Sequence, residues 1–286
     1  MLLILGICAL IVPLAVKSQL IRVDIPVMIV LSILFLVLAL DHEIGRLDGA
    51  LLLTVLIIYT IVVIFIGRRR HWDDPAARAP EATAAATTVE AEAKPMAAAG
   101  LVAIGVVMLV GGASLLVSGA TDIATAMGVS ELVIGLSVVA IGTSLPELAA
   151  SVVALMRGER DLAVGNVVGS CLFNIGAVLG LAAVIAPDVI PVADAAVRLD
   201  LPIMIAVALA LAPIAFTGFA VVRWEGALFV AFYLAYIAYV LLDATGHDAV
   251  GRFSGAMLGF VIPITALWLA LLVAYELGLR RGRQPA

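Results

Sequence analysis

Nine long apolar segments, almost free of charge at their centres, constrain this chain more than any other feature of its sequence. They lie at about 1–16, 25–41, 49–66, 97–118, 132–156, 161–186, 199–217, 226–242 and 256–277. A helix of about 20 apolar residues crosses roughly 30 Å of hydrocarbon, and a bilayer forces backbone polar groups to pair internally. The sequence therefore predicts an all-α integral membrane protein, a helical bundle of about nine transmembrane segments.

The composition agrees with a protein that lies in a lipid bilayer. Hydrophobic residues make up 64% of the chain and charged residues 13%, whereas soluble domains carry about 25% charged residues. No basic patch with interleaved aromatic residues is present, so nucleic-acid binding is not expected. Cys8 and Cys171 lie inside apolar runs without metal-ligand spacing, and no prosthetic group is expected. The expected partners are the lipid bilayer and inorganic cations.

One segment, 67–95, interrupts the apolar pattern. It opens with Arg68, Arg69 and Arg70 and continues with Ala, Thr, Glu and Pro. Such a segment has too few bulky apolar side chains to form a core, so we expect a flexible cytoplasmic linker. With the linker inside and the segments alternating, thirteen of the sixteen Lys and Arg residues fall inside, as the positive-inside rule requires. The sequence thus predicts a multi-pass protein of the cell inner (plasma) membrane with a cytoplasmic C-terminus.

The two sides of this linker resemble each other. The matched pairs are LGICALIVP at 5–13 with LGLAAVIAP at 179–187, RVDIPVM at 22–28 with RLDLPIM at 198–204, RLDGAL at 46–51 with RWEGAL at 223–228, and Tyr59 with Tyr236. In the assigned topology the copies run in opposite directions, which is a recurring plan of secondary transporters. We expect a first repeat at 1–66, a second at 96–243, and an extra C-terminal helix with a basic tail at 244–286.

The second copy holds material that the first lacks. Residues 97–178 have no counterpart before Met1, so we expect an N-terminally truncated first repeat, a remnant of one partial helix plus two transmembrane helices. A signal peptide at 1–19 is disfavoured, because no basic region precedes the apolar run.

Chemistry concentrates where a membrane helix is interrupted. In AIGTSLPEL at 140–148, Pro146 lacks an N–H and Gly142 adds backbone freedom, so we expect a broken helix. Glu147 follows the break, and a carboxylate at the centre of a membrane helix costs about 2.5–3.5 kcal/mol. No Lys or Arg lies centrally in any segment, which disfavours the alternative that Glu147 is a structural ion pair. We therefore interpret it as a cation site.

Several oxygen-bearing residues have spacings that would place them near this carboxylate. Thr143 and Ser144 share its face if helical geometry persists, and Ala140 offers a carbonyl. On the next helix, Ser170 and Asn174 are four residues apart. Hard oxygen ligands of this kind suit Na⁺ or Ca²⁺. The glycines of that helix are interpreted as packing positions, whereas Asn166 could pack or bind; these glycines are Gly165, Gly169, Gly176 and Gly180.

The stretch at 128–180 resembles the alpha-repeat of the calcium:cation antiporter superfamily, in particular prokaryotic sodium/calcium exchangers. The matching motifs are GTSLPE at 142–147 and GNVVGSCLFN at 165–174. The resemblance implies an exchanger-like inverted-repeat fold and a metal site formed by Glu147, Ser144, Thr143, Ala140, Ser170 and Asn174. Three features depart from the family pattern: Cys171 replaces the usual Asn or Asp, Asn174 is neutral where some exchangers have an acid, and the first alpha-repeat is missing.

The leading hypothesis is a secondary antiporter that exchanges Na⁺ for Ca²⁺ at a midplane oxygen-ligand site. Two alternatives remain: an H⁺/Ca²⁺ antiporter, or a transport-inactive or partner-dependent fragment that needs a second copy or the missing repeat. An enzyme is disfavoured, because the Ser144–Glu147 pair lacks an embedded His or Lys base and no second acid is expected at membrane depth.

Overall fold

The computed structural model describes residues 1–73, 95–128, 134, 138, 140–216, 218–245, 249–257, 259 and 262–282. The fold is an all-α bundle with four two-residue strands. The helices are α1 Leu2–Ile11, α2 Ile25–Leu38, α3 Arg46–Asp73, α4 Pro95–Ala126, α5 Ala140–Gly142, α6 Leu145–Met156, α7 Arg160–Phe173, α8 Gly180–Ile185, α9 Leu201–Phe216, α10 Arg223–Ala244, α11 Val250–Ala256 and α12 Ile262–Gly282. The strands are β1 Leu14–Ala15, β2 Glu43–Ile44, β3 Ile190–Pro191 and β4 Ala220–Val221.

Six helical stretches among the described residues are long and apolar enough to cross a membrane. They are Leu20–Asp41, Arg46–Ile66, Gly100–Ala126, Arg160–Ile185, Ala196–Phe216 and Arg223–Ala244. The other three predicted segments coincide with shorter apolar helices at Leu2–Ile11, Leu145–Met156 and Ile262–Leu272. The count of nine transmembrane segments is therefore not confirmed.

Proline explains where the first of these shorter helices ends. Val12, directly before Pro13, has φ −150° and ψ 141°. A residue that precedes proline is sterically driven from the helical into the extended region, so α1 ends at Ile11 and the chain continues into β1.

Two membrane stretches begin with a π-helical turn, at Leu20–Asp24 before α2 and at Ala196–Asp200 before α9. Each turn is followed closely by a proline, Pro26 or Pro202. Because proline cannot donate the i→i−4 hydrogen bond, it favours a local change of helical pitch at this point. A third π-helical turn, Asn174–Leu179, joins α7 to α8.

The predicted inverted repeat is confirmed by two reciprocal helix crossings. Helix α1 packs on α10, and α8, the sequence counterpart of α1, packs on α3. At the first crossing a Cβ added to Gly6 would lie 2.9 Å from the Gly226 carbonyl oxygen. At the second, a Cβ added to Gly49 would lie 2.6 Å from the Gly180 carbonyl oxygen. Each crossing therefore requires glycine on both helices.

The strands exchange in the same reciprocal way. Leu14 of β1 pairs with Val221 of β4, and Ile44 of β2 pairs with Ile190 of β3, both antiparallel. Each pair thus joins a strand of the first copy to a strand of the second.

Two arginines at matched positions reinforce these junctions. Arg46 donates to the carbonyl oxygen of Ala186 at 3.2 Å, directly after α8, and Arg223 donates to that of Ile11 at 3.3 Å, at the end of α1. Cationic groups satisfy the free carbonyls at helix C-termini. The crossings, strand pairs and arginine contacts together make α1–α3 and α8–α10 a cross-braced frame.

The frame surrounds an apolar core to which both copies contribute. Fully buried side chains include Leu5, Leu14, Met28, Leu31, Leu172, Leu211 and Ile214. Helix α7 lies against this core through Ala163, Val164, Val167 and Val168. Outside the frame, α12 packs on α9, and Trp268 meets Trp224 edge to face with ring centroids 4.5 Å apart.

The segment predicted as a linker begins differently from expectation. Helix α3 continues through Arg68, Arg69 and Arg70 to Asp73, because arginine is a good helix former. Residues 74–94 lie outside the described residues, and α4 begins at Pro95. The linker and the domain limits drawn from the sequence stay predictions.

Candidate functional site

The predicted break in the membrane helix is confirmed between Gly142 and Leu145. The three-residue helix α5 ends there, and Ser144 N–H donates to the Ile141 carbonyl at 3.0 Å to close a turn. Helix α6 then begins at Leu145, with Pro146 in its first turn, where a missing N–H costs little. Thr143 and Ser144 lie in this turn, and Ser144 is the N-cap of α6. The shared face expected for their hydroxyls with Glu147 stays a prediction.

Helix α4 covers one side of the break. A Cβ added to Gly142 would collide with the Val117 side chain of α4. The absence of a side chain at Gly142 therefore lets α4 approach α5 closely. Ala140, at the start of α5, precedes the break, and Glu147 follows it.

Glu147 lies in the first turn of α6, where the helix dipole favours a negative charge. Its side chain is half-buried, and Oε2 is the one buried side-chain nitrogen or oxygen atom among the described residues without a hydrogen-bond partner. None of the ion pairs between described residues involves Glu147. An unsatisfied buried polar atom costs about 1–3 kcal/mol, and more if charged. This carboxylate is therefore available to a cation.

Helix α7 packs along α6 and carries the neighbouring polar groups. Asn166 Nδ2 donates to the Glu147 carbonyl oxygen at 3.2 Å and to Ser151 Oγ at 3.1 Å. The sequence left the role of Asn166 open, and the structure places it in direct contact with the Glu147 backbone.

Ser170 and Asn174 lie further along the same helix face as Asn166. Ser170 Oγ donates to the Val167 carbonyl at 3.0 Å, which leaves its lone pairs free to accept. Asn174 begins the π-helical turn and is exposed. Among the described residues, no hydrogen bond joins either side chain to Glu147. The structure thus brings Glu147 and Asn166 into contact and places Ser170 and Asn174 on the adjoining helix face.

The glycines of this region divide into two groups. Gly176 and Gly180 pack as predicted, because an added Cβ would lie 2.6 Å from Leu56 Cβ and 3.0 Å from the Gly49 carbonyl oxygen. At Gly165 and Gly169 a Cβ would meet no described atom within 4 Å. No described residue therefore packs against these two positions, and the packing role expected for them stays a prediction.

Sequence reasoning did not single out three buried or half-buried acids, Asp24, Asp200 and Glu225, each of which lies within the first five residues of a membrane stretch. The expectation of no second acid at membrane depth stays a prediction. Tyr59 donates to Asp24 at 2.9 Å, and the matched Tyr236 donates to Asp200 at 2.9 Å. Glu225 is 3% exposed and accepts from the Val222 N–H at 2.8 Å. The signal was present, because all three acids lie in the matched repeat motifs.

The charge available for binding is small. Among the described residues, no group of three or more His, Cys, Asp or Glu side chains lies close enough together to hold a metal ion. Within the described segment 140–148, Glu147 therefore carries the one carboxylate, and the other polar side chains are the neutral hydroxyls of Thr143 and Ser144.

The family model described as sodium/calcium exchanger protein matches residues 1–65 and 97–242. The putative antiporter CaxA of Alkalimonas amylolytica is 39% identical over 73% of this chain and 64% of its own length. The inner membrane protein YrbG of Escherichia coli K12 is 33% identical over 65% of this chain and 56% of its own. The chain therefore spans less than two thirds of the length of these curated relatives.

Solved structures match over a larger share of the chain. The sodium-calcium exchanger NCX_Mj soaked with 2.5 mM Na⁺ and 10 mM Sr²⁺ has a TM-score of 0.64 at 30% identity, covering 82% of this chain and 71% of that one. The same exchanger soaked with zero Na⁺ and Ca²⁺ has a TM-score of 0.61 at 31% identity over 82% and 70%. The C-terminal helices α11 and α12 lie outside the residues matched by the family model.

Proposed function

The chain belongs to the sodium/calcium exchanger protein family, and from this we propose that it is a secondary active antiporter that exchanges Na⁺ for Ca²⁺ at a site built around Glu147. The observation that carries the proposal is the buried Glu147 Oε2, which has no hydrogen-bond partner among the described residues. A bound cation would neutralise this charge and replace the missing partner.

The other ligands would be neutral oxygens. Ca²⁺ takes about 6–8 oxygen ligands, so the carboxylate needs help from the groups around the break and on α7. We assign the remaining positions to the hydroxyls of Thr143, Ser144 and Ser170, the amide oxygen of Asn174 and the carbonyl of Ala140. Broken helices supply such groups to ions in many secondary transporters.

The location of the site between the cross-braced frame and the broken-helix region suits alternating access. Glu147 lies at the start of α6, which rests on α1 and α7 at the edge of the cross-braced frame. We propose that the α4–α6 part moves relative to this frame and exposes the ion to one side of the membrane at a time. The chain is a multi-pass membrane protein, and by the positive-inside rule we place it in the inner (plasma) membrane with 67–95 and the C-terminus in the cytoplasm.

Flux of radioactive Ca²⁺ into proteoliposomes tests the proposal. Vesicles loaded with Na⁺ and diluted into Na⁺-free Ca²⁺ medium should accumulate Ca²⁺, and equal Na⁺ on both sides should abolish the uptake. Glu147→Gln should reduce uptake at least about tenfold, because the loss of 1.4 kcal/mol of ion binding already has that effect. Glu159→Gln, an exposed acid directly before α7, is the matched control and should behave as wild type.

Two results would contradict the proposal: Ca²⁺ uptake that ignores the Na⁺ gradient, or equal uptake by wild type and Glu147→Gln. Replacing the Na⁺ gradient by a pH gradient in the same vesicles tests the alternative of H⁺/Ca²⁺ exchange.

A partner-dependent site is the second candidate. One carboxylate leaves Ca²⁺ with an uncompensated charge, and the α7 face at Gly165 and Gly169 meets no described atom within 4 Å of an added Cβ. In this alternative a second copy or a further segment covers that face and supplies more ligands. The number of Ca²⁺ ions bound per chain separates the candidates: one ion per chain favours a self-sufficient site, whereas one ion per two chains favours a site shared between copies.

A further inference from the structure

The half-helix α6 lacks a continuous connection to the helix before it. The turn at Thr143–Ser144 separates it from α5, so the regular i→i−4 ladder of a membrane helix does not pass through the break. The position of the first turn of α6, and with it the position of Glu147, therefore depends on lateral contacts with neighbouring helices.

Asn166 makes the side-chain hydrogen bonds that join α7 to α6 in the described part of the chain. Its Nδ2 reaches the Glu147 carbonyl oxygen at 3.2 Å and Ser151 Oγ at 3.1 Å. These acceptors are four residues apart, on one face of α6, and the Ser151 residue is 1% exposed. A single amide group thus holds the first turn of α6, including the residue that carries the unpartnered carboxylate.

Hydrogen-bonding chemistry determines which end of the Asn166 amide group faces α6. A carbonyl oxygen can only accept, so the group facing Glu147 O must be the NH₂ end, which has two hydrogens to donate. Both donors are directed toward α6, one for each acceptor. The amide oxygen is then directed away from these two acceptors, and the contacts of Asn166 with α6 are those of a donor.

Asn166 also sets the register between α6 and the polar face of α7. Asn166, Ser170 and Asn174 recur every four residues and lie on successive turns of one face. Fixing Glu147 to the first of these turns fixes its height relative to the other two. Outer residues that orient a ligand in this manner typically change metal affinity about 10–100-fold when they are replaced.

We propose that Asn166 is a positioning residue for the Glu147 carboxylate, acting through its two amide N–H donors and not as an ion ligand. This inference rests on the proposed function, because it assigns a role within the same cation site. A positioning role and direct ion ligation by Asn166 predict opposite effects of one substitution on Ca²⁺ binding.

The decisive variant is Asn166→Asp, which keeps a side-chain oxygen and adds charge but removes both donors. Equilibrium Ca²⁺ binding to the full chain in lipid nanodiscs, measured by titration calorimetry, gives the Kd and the number of sites. The positioning role predicts that Asn166→Asp and Asn166→Ala both raise the Kd at least about tenfold. Direct ligation predicts that Asn166→Asp binds Ca²⁺ as tightly as wild type or more tightly, and that result would overturn the proposal.

A readout beyond affinity distinguishes positioning from damage to the fold. If the substitution displaces Glu147 in a folded protein, the number of Ca²⁺ sites per chain stays as in wild type. The Kd then rises, and the pH midpoint of Ca²⁺ binding moves. Partial unfolding lowers the number of sites while the remaining sites keep the wild-type Kd and pH midpoint, and this outcome would also overturn the proposal. Ser151→Ala, which removes one of the two acceptors, should raise the Kd by a smaller factor than Asn166→Ala.

Glu147→Gln measured in parallel keeps the two claims apart. If Glu147→Gln loses Ca²⁺ binding while Asn166→Ala binds like wild type, the positioning role fails and the proposed function stands. If wild type does not bind Ca²⁺, or Glu147→Gln binds as wild type does, both fail together.

Discussion

The cross-braced frame and the broken-helix region treat the same residue types in opposite ways. In the frame, Asp24 and Asp200 each accept from a tyrosine, and glycines at the crossings leave no room for a side chain. Around the break, Glu147 keeps an oxygen without a described partner, and a Cβ added to Gly165 or Gly169 meets no described atom within 4 Å. Acids and glycines in the frame therefore serve structure, whereas those at the break remain available for another group.

The difference has a physical basis. Buried polar groups are almost always hydrogen-bonded in native proteins, and each exception calls for an explanation. The frame satisfies its acids internally, which stabilises one arrangement. The break leaves one acid unsatisfied at a point where the backbone ladder is interrupted, which is the arrangement a transient ligand requires.

Placing a side chain at a glycine crossing of the frame should destabilise the protein most. Gly49→Ala and Gly226→Ala place a Cβ 2.6 Å from the Gly180 carbonyl oxygen and 2.7 Å from Ala9 Cβ. Overpacking of this kind costs about 1–3 kcal/mol and often more against backbone, so both variants should melt several degrees below wild type or fail to fold.

Matched glycines on α7 give the control for these variants. Gly165→Ala and Gly169→Ala meet no described atom within 4 Å, and alanine is favoured over glycine in a helix by about 1 kcal/mol. Their melting temperatures should equal or exceed that of wild type. An equal loss of stability at all four positions would remove the distinction between frame and break.

Removing the acid–tyrosine hydrogen bonds should cause the next largest loss of stability. Tyr59→Phe and Tyr236→Phe each remove one hydrogen bond of 2.9 Å, which should lower the free energy of unfolding by about 1–3 kcal/mol because the acceptor stays half-buried or buried. Since the two pairs occupy matched positions, the two variants should be similarly destabilised in thermal melts and should bind Ca²⁺ like wild type. A large effect at one pair and none at the other would show that the repeats are not energetically equivalent.

Removing the arginine contacts should reduce the stability of the protein least. Arg46→Ala and Arg223→Ala remove exposed contacts to the carbonyls that end α8 and α1, and exposed charged contacts contribute about 0–1 kcal/mol. Thermal melts should show small, similar decreases for the two variants. A large loss of stability in either variant would mean that the frame depends more on these arginine contacts than on its glycine crossings.

Several features of the frame and of the break could be predicted from the sequence. Pro146 and Gly142 located the break, and a charged residue amid apolar ones identified Glu147, because both signals are local. The repeat was visible because Pro, Asp, Arg and Gly recur in order in the two copies.

The remaining features depend on contacts between distant segments. Nothing in the spacing of four glycines on one helix indicates which two meet a neighbour, since that depends on where α3 lies. The Asp24–Tyr59 bond joins residues from two helices, and the Asn166 contact joins α7 to α6. The turn at Thr143–Ser144 interrupts the continuous helix on which their expected positions relative to Glu147 depended, so that expectation stays a prediction.

Equilibrium binding of radioactive Ca²⁺ to the full chain in nanodiscs tests whether the cation site lies at the break, by comparing one acid from the break with one from the frame. Glu147→Gln should weaken binding at least about tenfold, whereas Asp24→Asn, in a buried acid that already has a tyrosine partner, should leave the Kd of the folded protein unchanged. Wild-type binding by Glu147→Gln together with loss of binding by Asp24→Asn would contradict a cation site at Glu147.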